Sequence, residues 1–543
     1  MLGHKIRDFR LLTAVSLEDL VPEDNFYRQV ERSIDLSFVR DLANEFYSNI
    51  GRPSIDPVVF FKLQLIAFFE GIRSERQLMD TVNLNLAHRW FIGYDLTEAV
   101  PDHSSLSKIR DRYGLATFQH FFERVVELCI EAGLVWGEEL YFDSTKVQAN
   151  ADIDRLMPRV EWEAQQHLDK LFEKQVDPEG TDSGVTPPQE DSLPEDRFDP
   201  EQESATVLTL QELVEKYDGS RLTGVRKPSY ERLADEKVCP TDPDATPMQP
   251  SGGGSAVMGY SDHYVVDGGK QRIILHALVT PASIMDNTPL LDLVRRVCAR
   301  WKLKPKQATG DTRYGTIPNI VGLEHMDISA YLPTPDFSGR TKFYPPDRFQ
   351  YDADHDQYTC PQGQTLELAS RRKSEQVYVY KAEASICNSC PVKVECTDSK
   401  SGRHIFRSFF QEELDRVKAY QETDVYQKAM RKRALWTEPL FGEAKQFHRL
   451  RRFRLRGLEK VNIEGVMTAA GQNIKRLIKQ KSIELFSLYK WLSPLFHSPT
   501  PLTFSTGCEI VRIITNLSFS STPSHSYPIM RCRVGSIKRE FNS

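Results

Sequence analysis

The chain has 543 residues, a formal net charge of −6 and 40% hydrophobic residues, a composition typical of a globular protein with two or three folded units. No apolar stretch is long enough to span a membrane, and the polar first residues do not resemble a secretory signal. These features argue against a secreted, membrane-spanning, collagen-like or wholly disordered protein.

The region 1–134 predicts an all-α domain. Asp56-Pro57 is typical of a helix start, because Asp caps the backbone and Pro fits the first helical position. Ser74 and Gln77 have the spacing of a second helix cap, and a further helix is predicted to begin near Asp102. Short capped helices are typical of helix-turn-helix DNA-binding domains, although a plain helical bundle has the same pattern.

The pattern changes to strands in the region 135–487. One predicted strand ends at Asp143, a second short strand ends at Asp311, and a strand pair lies between them in the sequence. Residues from about 408 to 480 are again helical in pattern. Strands followed by a helix, a strand and a final helix predict an α/β core with insertions.

Two insertions and a tail complete the predicted organisation. Residues 177–203 carry ten acids and one base, a net charge of −9, and predict a flexible acidic insertion over about 152–250. A β-rich insertion is expected at about 343–405. Residues 488–543, rich in Ser, Thr and Pro, predict a poorly ordered tail.

The region 428–456 has the opposite charge, with ten Lys or Arg against two acids and a net charge of +8. A basic stripe in a near-neutral chain indicates a polyanion partner, although a solvated helix face has the same pattern. Pro439 predicts a helix start or a kink at Glu438. Arg binds phosphate well because its planar guanidinium reaches two oxygens. The expected phosphate contacts are Arg449, Arg451, Arg452, Arg454 and Arg456.

Asp143, Asp311 and Glu438 are the candidate catalytic acids. Strand ends of an α/β sheet place side chains at the rim where ligands bind. Three carboxylates gathered there would bind Mg²⁺ or Mn²⁺, and two such ions about 3.5–4 Å apart can activate a water or a 3′-hydroxyl. The alternative for any single acid is an exposed solubilising charge. Glu443 competes with Glu438, but helical spacing places Glu438 and Lys445 on one face and Glu443 elsewhere.

Four of the nine cysteines lie in one short segment, at Cys360, Cys387, Cys390 and Cys396. An odd total with one local cluster predicts a reducing compartment and a metal clip rather than a disulfide framework. A CxxC pair with two flanking cysteines is a set that Zn²⁺ binds tetrahedrally, and such an ion would be structural. Ordinary reduced cysteines are the alternative.

The acidic and basic motifs together resemble the DDE transposases of bacterial insertion sequences, closest to the insertion-sequence family numbered eleven eighty-two. The resemblance spans roughly residues 15–485. The matching motifs are Trp436-Thr-Glu-Pro-Leu-Phe-Gly-Glu-Ala-Lys445, Arg451-Arg-Phe-Arg-Leu-Arg-Gly457, Asp143-Ser-Thr-Lys146, Asp311-Thr-Arg-Tyr-Gly315 and the helical region 55–110.

This resemblance implies an RNase H-like catalytic core after an all-α N-terminal DNA-binding domain. It implies that Asp143, Asp311 and Glu438 bind Mg²⁺ or Mn²⁺, and that Lys445, with six residues between it and Glu438, contacts DNA. The implied activity is that of a transposase, which binds the terminal inverted repeats of its element, cleaves the DNA and joins the ends to a target. Base recognition is expected from the N-terminal helices, through Lys108, Arg110 and Arg112.

The expected partner is therefore double-stranded DNA, both element ends and target, in the bacterial cytoplasm and in association with the nucleoid. Bringing two ends together suggests a homodimer, although no sequence feature shows one. Two other functions fit the pattern. Ser144 and Arg313 depart from the family's usual residues beside the two aspartates, as a catalytically inactive DNA-binding relic would allow. A metal-dependent nuclease without strand transfer is the third hypothesis.

Overall fold

The computed structural model describes residues 16–47, 54–173, 237–250, 253–334 and 342–492. The chain divides into two compact units, residues 1–481 and 482–543, and only the end of the last helix is described in the second. Residues 174–236 of the predicted acidic insertion and the predicted tail from residue 493 onwards lie outside the described residues. None of the described helices is both long and apolar enough to cross a membrane.

The described residues before the first strand are helical. The helices are α1 (Leu17–Leu20), α2 (Phe26–Ser33), α3 (Phe38–Ala43), α4 (Pro57–Phe69), α5 (Glu75–Leu84), α6 (Leu86–Ile92) and α7 (His103–Glu131). Asp56, Ser74 and Asp102 each accept a backbone N–H of the first turn at 2.8–3.3 Å, as capping residues do. Helix α4 is buried on most sides, which explains why its sequence has no polar face.

The central sheet lies in the middle of the chain. Its strands are β1 (Glu139–Gln148), β4 (Thr246–Met248), β5 (Val257–Asp267), β6 (Ile274–Pro281), β7 (Gln307–Thr309) and β8 (Ser329–Tyr331). The order across the sheet is β6-β5-β1-β7-β8, and β4 pairs with β5 beside β6. Strand β5 is antiparallel to both of its neighbours, β1 and β6. On the other side of β1, strands β7 and β8 are parallel to it. Strand β1 is therefore the centre of a mixed sheet.

Helices cover the sheet and continue into the C-terminal part. They are α9 (Leu290–Trp301), α10 (Ile317–Glu324), α13 (Gln411–Gln421), α14 (Asp424–Phe447) and α15 (Leu458–Leu492). Helix α14 lies across β1 and β5, where the ring of Phe441 stacks on Tyr264 with centroids 4.4 Å apart. One hydrophobic core joins buried residues of the N-terminal helices, the sheet and α15.

Helix α14 does not start at Glu438, which was one of the two outcomes expected from Pro439, but runs from Asp424 through the proline to Phe447. Proline has no N–H, so the Leu435 carbonyl one turn earlier loses its helical partner. The Arg272 guanidinium donates to that carbonyl at 3.2 Å and compensates for the loss. A residue distant in sequence therefore supports the helix through its proline.

Both ends of the predicted flexible insertion contain regular structure. At one end lie β2 (Met157–Pro158) and α8 (Arg159–Glu173), and β3 (Lys237–Val238) pairs with β2. At the other end β4 belongs to the central sheet, and Asp242 accepts the hydroxyl of Tyr260 at 2.6 Å. Flexibility over the whole of 152–250 is therefore the wrong description of these ends, because strand pairing extends into them.

A separate five-stranded antiparallel sheet follows β8. Its strands are β9 (Gln350–Asp352), β10 (Gln357–Thr359), β11 (Thr365–Arg372), β12 (Val377–Ala382) and β13 (His404–Ser408), in the order β13-β12-β11-β10-β9. Two short helices, α11 (Ala384–Asn388) and α12 (Lys393–Cys396), lie between β12 and β13. Its core is a small cluster around Phe349, Leu366 and Tyr380.

Candidate active site

Asp143 lies on β1, on the face that α14 covers. One carboxylate oxygen accepts the Thr437 hydroxyl at 2.8 Å and lies 3.5 Å from a guanidinium nitrogen of Arg433, and the other accepts the N–H of Ser144 at 2.9 Å. Burial raises the pKa of Asp143, while Thr437 and Arg433 oppose the rise. Because burial disfavours the charged form of this carboxylate, a cation beside it stabilises that form.

Asp311 lies two residues after the end of β7, the strand next to β1, and caps the short turn that follows. In the parallel pairing of β1 with β7, Tyr141 is opposite Thr309, and each aspartate stands two residues further along its own chain segment. Adjacent strands are about 4.8 Å apart, so the two backbone segments lie close together at these positions. The charge of Asp311 contributes to the raised pKa of Asp143. The structure thus brings together the two predicted aspartates.

Glu438 follows Thr437 on α14, so its backbone lies next to the residue that binds Asp143. Its side chain is exposed, and it makes no hydrogen bond or ion pair with the described residues. Among those residues, no three His, Cys, Asp or Glu side chains are arranged to hold a metal ion. The structure therefore places the backbone of Glu438 near Asp143, but the three carboxylates do not form a single site.

Glu443, unlike Glu438, is bound by other side chains of the protein. Its oxygens lie 2.6 Å from the Lys475 ammonium, 3.2 Å from the Arg476 guanidinium and 3.6 Å from the His448 ring. Burial alone would raise the pKa of Glu443, but His448, Lys475 and Arg476 hold that pKa well below its ordinary value. The Glu443 carboxylate therefore links α14 to α15 through these contacts.

Lys445 is half-buried on the same side of α14 as Thr437. Its ammonium donates to the Thr145 hydroxyl at 2.6 Å, two residues along β1 from Asp143. Burial lowers the pKa of Lys445 and so does Arg451, whereas Asp262 and Asp143 raise it. A cation thus stands near Asp143 and Asp262, at a position that suits contact with an anionic substrate.

Residues 449–456, called here the Arg-rich segment, extend the sheet at the end of β1. Gln148 donates to the Arg451 carbonyl at 3.1 Å and accepts the N–H of Phe453 at 2.8 Å. Phe453 is fully buried against Tyr260, with ring centroids 5.8 Å apart. This anchor turns the flanking arginines outward: Arg449, Arg451 and Arg456 are exposed, and Arg452 and Arg454 are partly exposed.

The three basic residues predicted on α7 do not share one surface. Lys108 and Arg112 are exposed, and the Arg112 guanidinium lies 5.2 Å from the ring centre of Tyr47. Arg110 is only 3% exposed and forms an ion pair with Glu75. Its guanidinium is engaged inside the protein, so base contact by Arg110 would require this ion pair to open.

Thr437 and Arg433 were not among the predicted site residues. They stand four positions apart on a helix, which places both on the face toward Asp143. Thr437 directly precedes Glu438, and Arg433 lies one helical turn before Thr437. This spacing is the signal in the sequence that identifies both residues.

The four clustered cysteines lie in the five-stranded sheet region. The sulfur of Cys360 accepts the backbone N–H groups of Gln362 and Gln364, each at 3.4 Å. Burial raises the pKa of the Cys396 thiol, and Cys387, Cys360 and Cys390 contribute through their charge. The four cysteines thus lie in one region of this small sheet, although their side chains are not arranged as a metal site in the described structure.

Two parts of the chain match known family models. Residues 15–112 match the family described as Transposase domain (DUF772), and residues 359–478 match the family described as Transposase DDE domain. The second match contains Glu438, Lys445, the Arg-rich segment and all four clustered cysteines, and it begins after both aspartates. No curated protein and no solved structure matches the chain.

Proposed function

We propose that this chain, which belongs to the DDE transposases of insertion sequences, binds the terminal inverted repeats of its element, cleaves DNA there and joins the ends to a target. The observation that supports this proposal best is the placement of Asp143 on β1 and Asp311 just after the neighbouring strand β7, with α14 bonded to Asp143 one residue before Glu438. The sheet order β6-β5-β1-β7-β8, in which only β5 of these five strands runs opposite to the others, supports an RNase H-like core.

Asp143, Asp311 and Glu438 are the residues proposed to hold Mg²⁺ or Mn²⁺. Their oxygens suit such ions, and the desolvated Asp143 already interacts with a positive charge from Arg433. When bound, the ions would supply the activation of a water or 3′-hydroxyl and offset the charge of the phosphodiester. Thr437 holds the Asp143 carboxylate in a fixed orientation through its hydrogen bond.

Cationic side chains are proposed to bind the DNA strand beside these acids. Lys445 would leave Thr145 and donate to a phosphate oxygen, and the Arg-rich segment would hold the neighbouring backbone. Lys108 and Arg112 of α7 are the proposed base-reading residues, because both are exposed. Phosphate contacts position DNA, so the sequence preference would come from the helices.

The experiment that tests this function is an assay on a duplex that carries the DNA flanking the reading frame. With Mg²⁺, we expect nicks at the element end and covalent joining of that end to a second duplex, but neither product from a duplex with a scrambled end. Nicks without joined products would favour the nuclease, and binding without any product would favour the inactive relic.

The cysteine cluster is proposed to hold one structural Zn²⁺, because the small core of the five-stranded sheet gives that region little stability of its own. We expect purified protein to contain about one zinc per chain by elemental analysis. Cys387→Ser should lower the zinc content and the melting temperature, because a lost ligand weakens metal binding coupled to folding.

Cys298→Ser is the matched control for the zinc site. Cys298 is half-buried in α9 and is not one of the clustered cysteines, so both the zinc content and the melting temperature should stay near those of the wild type. Zinc-free protein, or equal zinc in both variants, would contradict the proposed site.

A further inference from the structure

The turn between α4 and α5 packs directly on the start of the Arg-rich segment. A Cβ on Gly71 would lie 2.7 Å from the Phe447 carbonyl oxygen and 3.5 Å from the Arg449 Cγ, and its φ is +61°. Only glycine fits this approach without moving backbone. The ring of His448 also stacks on Phe68 with centroids 3.8 Å apart. The N-terminal helices and the end of α14 are therefore in fixed contact.

Arg73 follows this turn, just before the start of α5. Its side chain is half-buried, and it makes no hydrogen bond or ion pair among the residues that the structure describes. Burial lowers the pKa of Arg73; Arg452, Arg454 and Arg449 lower it further, while Glu464 opposes them. The Arg73 guanidinium is thus exposed to the positive charge of three arginines of the Arg-rich segment, two residues from the Gly71 position that approaches the Arg449 side chain.

The acids in this cluster are already engaged. Glu464 accepts the backbone N–H groups of Arg454 and Leu455 at 3.0 and 3.2 Å. Glu75 accepts from Arg110 and, at 3.1 Å, from Arg454. Arg452 donates to the Ala149 carbonyl at 3.2 Å and to the Asn150 side-chain oxygen at 3.3 Å, which are neutral acceptors. The positive charges of this region exceed the two negative charges of Glu75 and Glu464 by three, since they come from Arg73, Arg110, Arg449, Arg452 and Arg454.

We infer that Arg73 and the Arg-rich segment form one phosphate-binding surface for a DNA backbone, built jointly by the N-terminal helices and the loop after α14. Holding unpaired like charges together costs free energy that an anionic ligand recovers, and a guanidinium fork matches phosphate oxygens. The surface begins four residues after Lys445, so a strand bound at the acids would continue onto it. The inference rests on the proposed DNA transposase function.

The test is binding of a fluorescent random-sequence duplex of about 30 base pairs, since phosphate contacts do not depend on sequence. Arg73→Ala should weaken binding about tenfold at about 0.1 M salt, a loss typical of one charged hydrogen-bonding contact. The slope of log affinity against log salt should fall by about one. Arg73→Lys should keep most of that slope, because it keeps the charge.

Arg76→Ala is the matched control, because Arg76 is exposed three residues away and lies outside the cluster. It should bind DNA within about twofold of the wild type. The melting temperature of each variant should match the wild type, since Arg73 makes no bond that folding requires. Equal affinity and salt slope for Arg73→Ala and Arg76→Ala, with wild-type cleavage intact, would overturn this inference alone. A wild-type protein without salt-dependent DNA binding would overturn the proposed function as well.

Discussion

Asp143→Asn is expected to reduce strand cleavage and joining by about a thousandfold or more, because it removes a charge worth several kcal/mol to the bound ions. The same change should leave the melting temperature at pH 7 equal or higher. Burial raises the pKa of Asp143 above its unfolded value near 3.8, so the ionised form costs folding free energy as pH rises through the folded pKa. Asparagine avoids that cost and can still accept from Thr437. Cleavage rates and thermal unfolding measure the two effects.

Asp80→Asn is the control for that variant. Asp80 is exposed on α5 and interacts with none of the proposed site residues, so activity and stability should both resemble the wild type. Cleavage by Asp143→Asn at a rate near the wild type would show that this carboxylate has no catalytic part.

Glu443→Gln is expected to lower the free energy of unfolding by about 3–5 kcal/mol, the loss typical when one partner of a buried ion pair is removed. The change leaves Lys475 and the mostly buried Arg476 without their carboxylate. The pKa of Glu443 is lowered in the folded protein, so its contribution is complete above the unfolded value near 4.5 and is lost as pH falls toward the folded pKa. Urea denaturation at pH 7 and pH 4 measures both effects.

Glu438→Gln is the matched comparison on the same helix. Its side chain is exposed, so unfolding in urea should change little, while strand cleavage should fall as steeply as for Asp143→Asn. The reverse pattern, with activity lost only in Glu443→Gln at unchanged stability, would make Glu443 the third catalytic carboxylate.

The placement of the two aspartates could be predicted because it depends on local pattern. Asp143 and Asp311 each follow a short apolar run, and the neighbouring parallel strands β1 and β7 carry those runs. The helix caps at Asp56, Ser74 and Asp102 could be predicted for the same reason, since capping uses residues two or three positions apart. The predicted strand end at Asp143 is wrong, because β1 continues to Gln148 in its pairing with β5.

The burial of Arg110 could not be predicted, because its partner Glu75 lies on another helix 35 residues away. A basic residue on a helix gives no sign of which face packs inward until the neighbouring helix is placed. The continuation of α14 through Pro439 could not be predicted for the same reason, because the compensating donor, Arg272, belongs to the turn between β5 and β6. Contacts between distant segments decided both outcomes.

The choice between Glu438 and Glu443 was only partly available from sequence. Helical spacing separates their faces, but the side chains that bind the Glu443 carboxylate belong to α15 and to the end of α14, namely Lys475, Arg476 and His448. The position of Arg73 beside the Arg-rich segment likewise depends on the close approach at Gly71. Residue spacing identifies neither the partners of Glu443 nor the neighbours of Arg73.

Anomalous diffraction from crystals of the protein with end DNA and Mn²⁺ tests most directly whether the three acids act together. We expect manganese peaks about 2.0–2.3 Å from carboxylate oxygens of Asp143, Asp311 and Glu438, beside a DNA phosphate. Manganese bound elsewhere, with Glu438 still turned to solvent and Asp143 still held only by Thr437 and Arg433, would contradict a shared metal site.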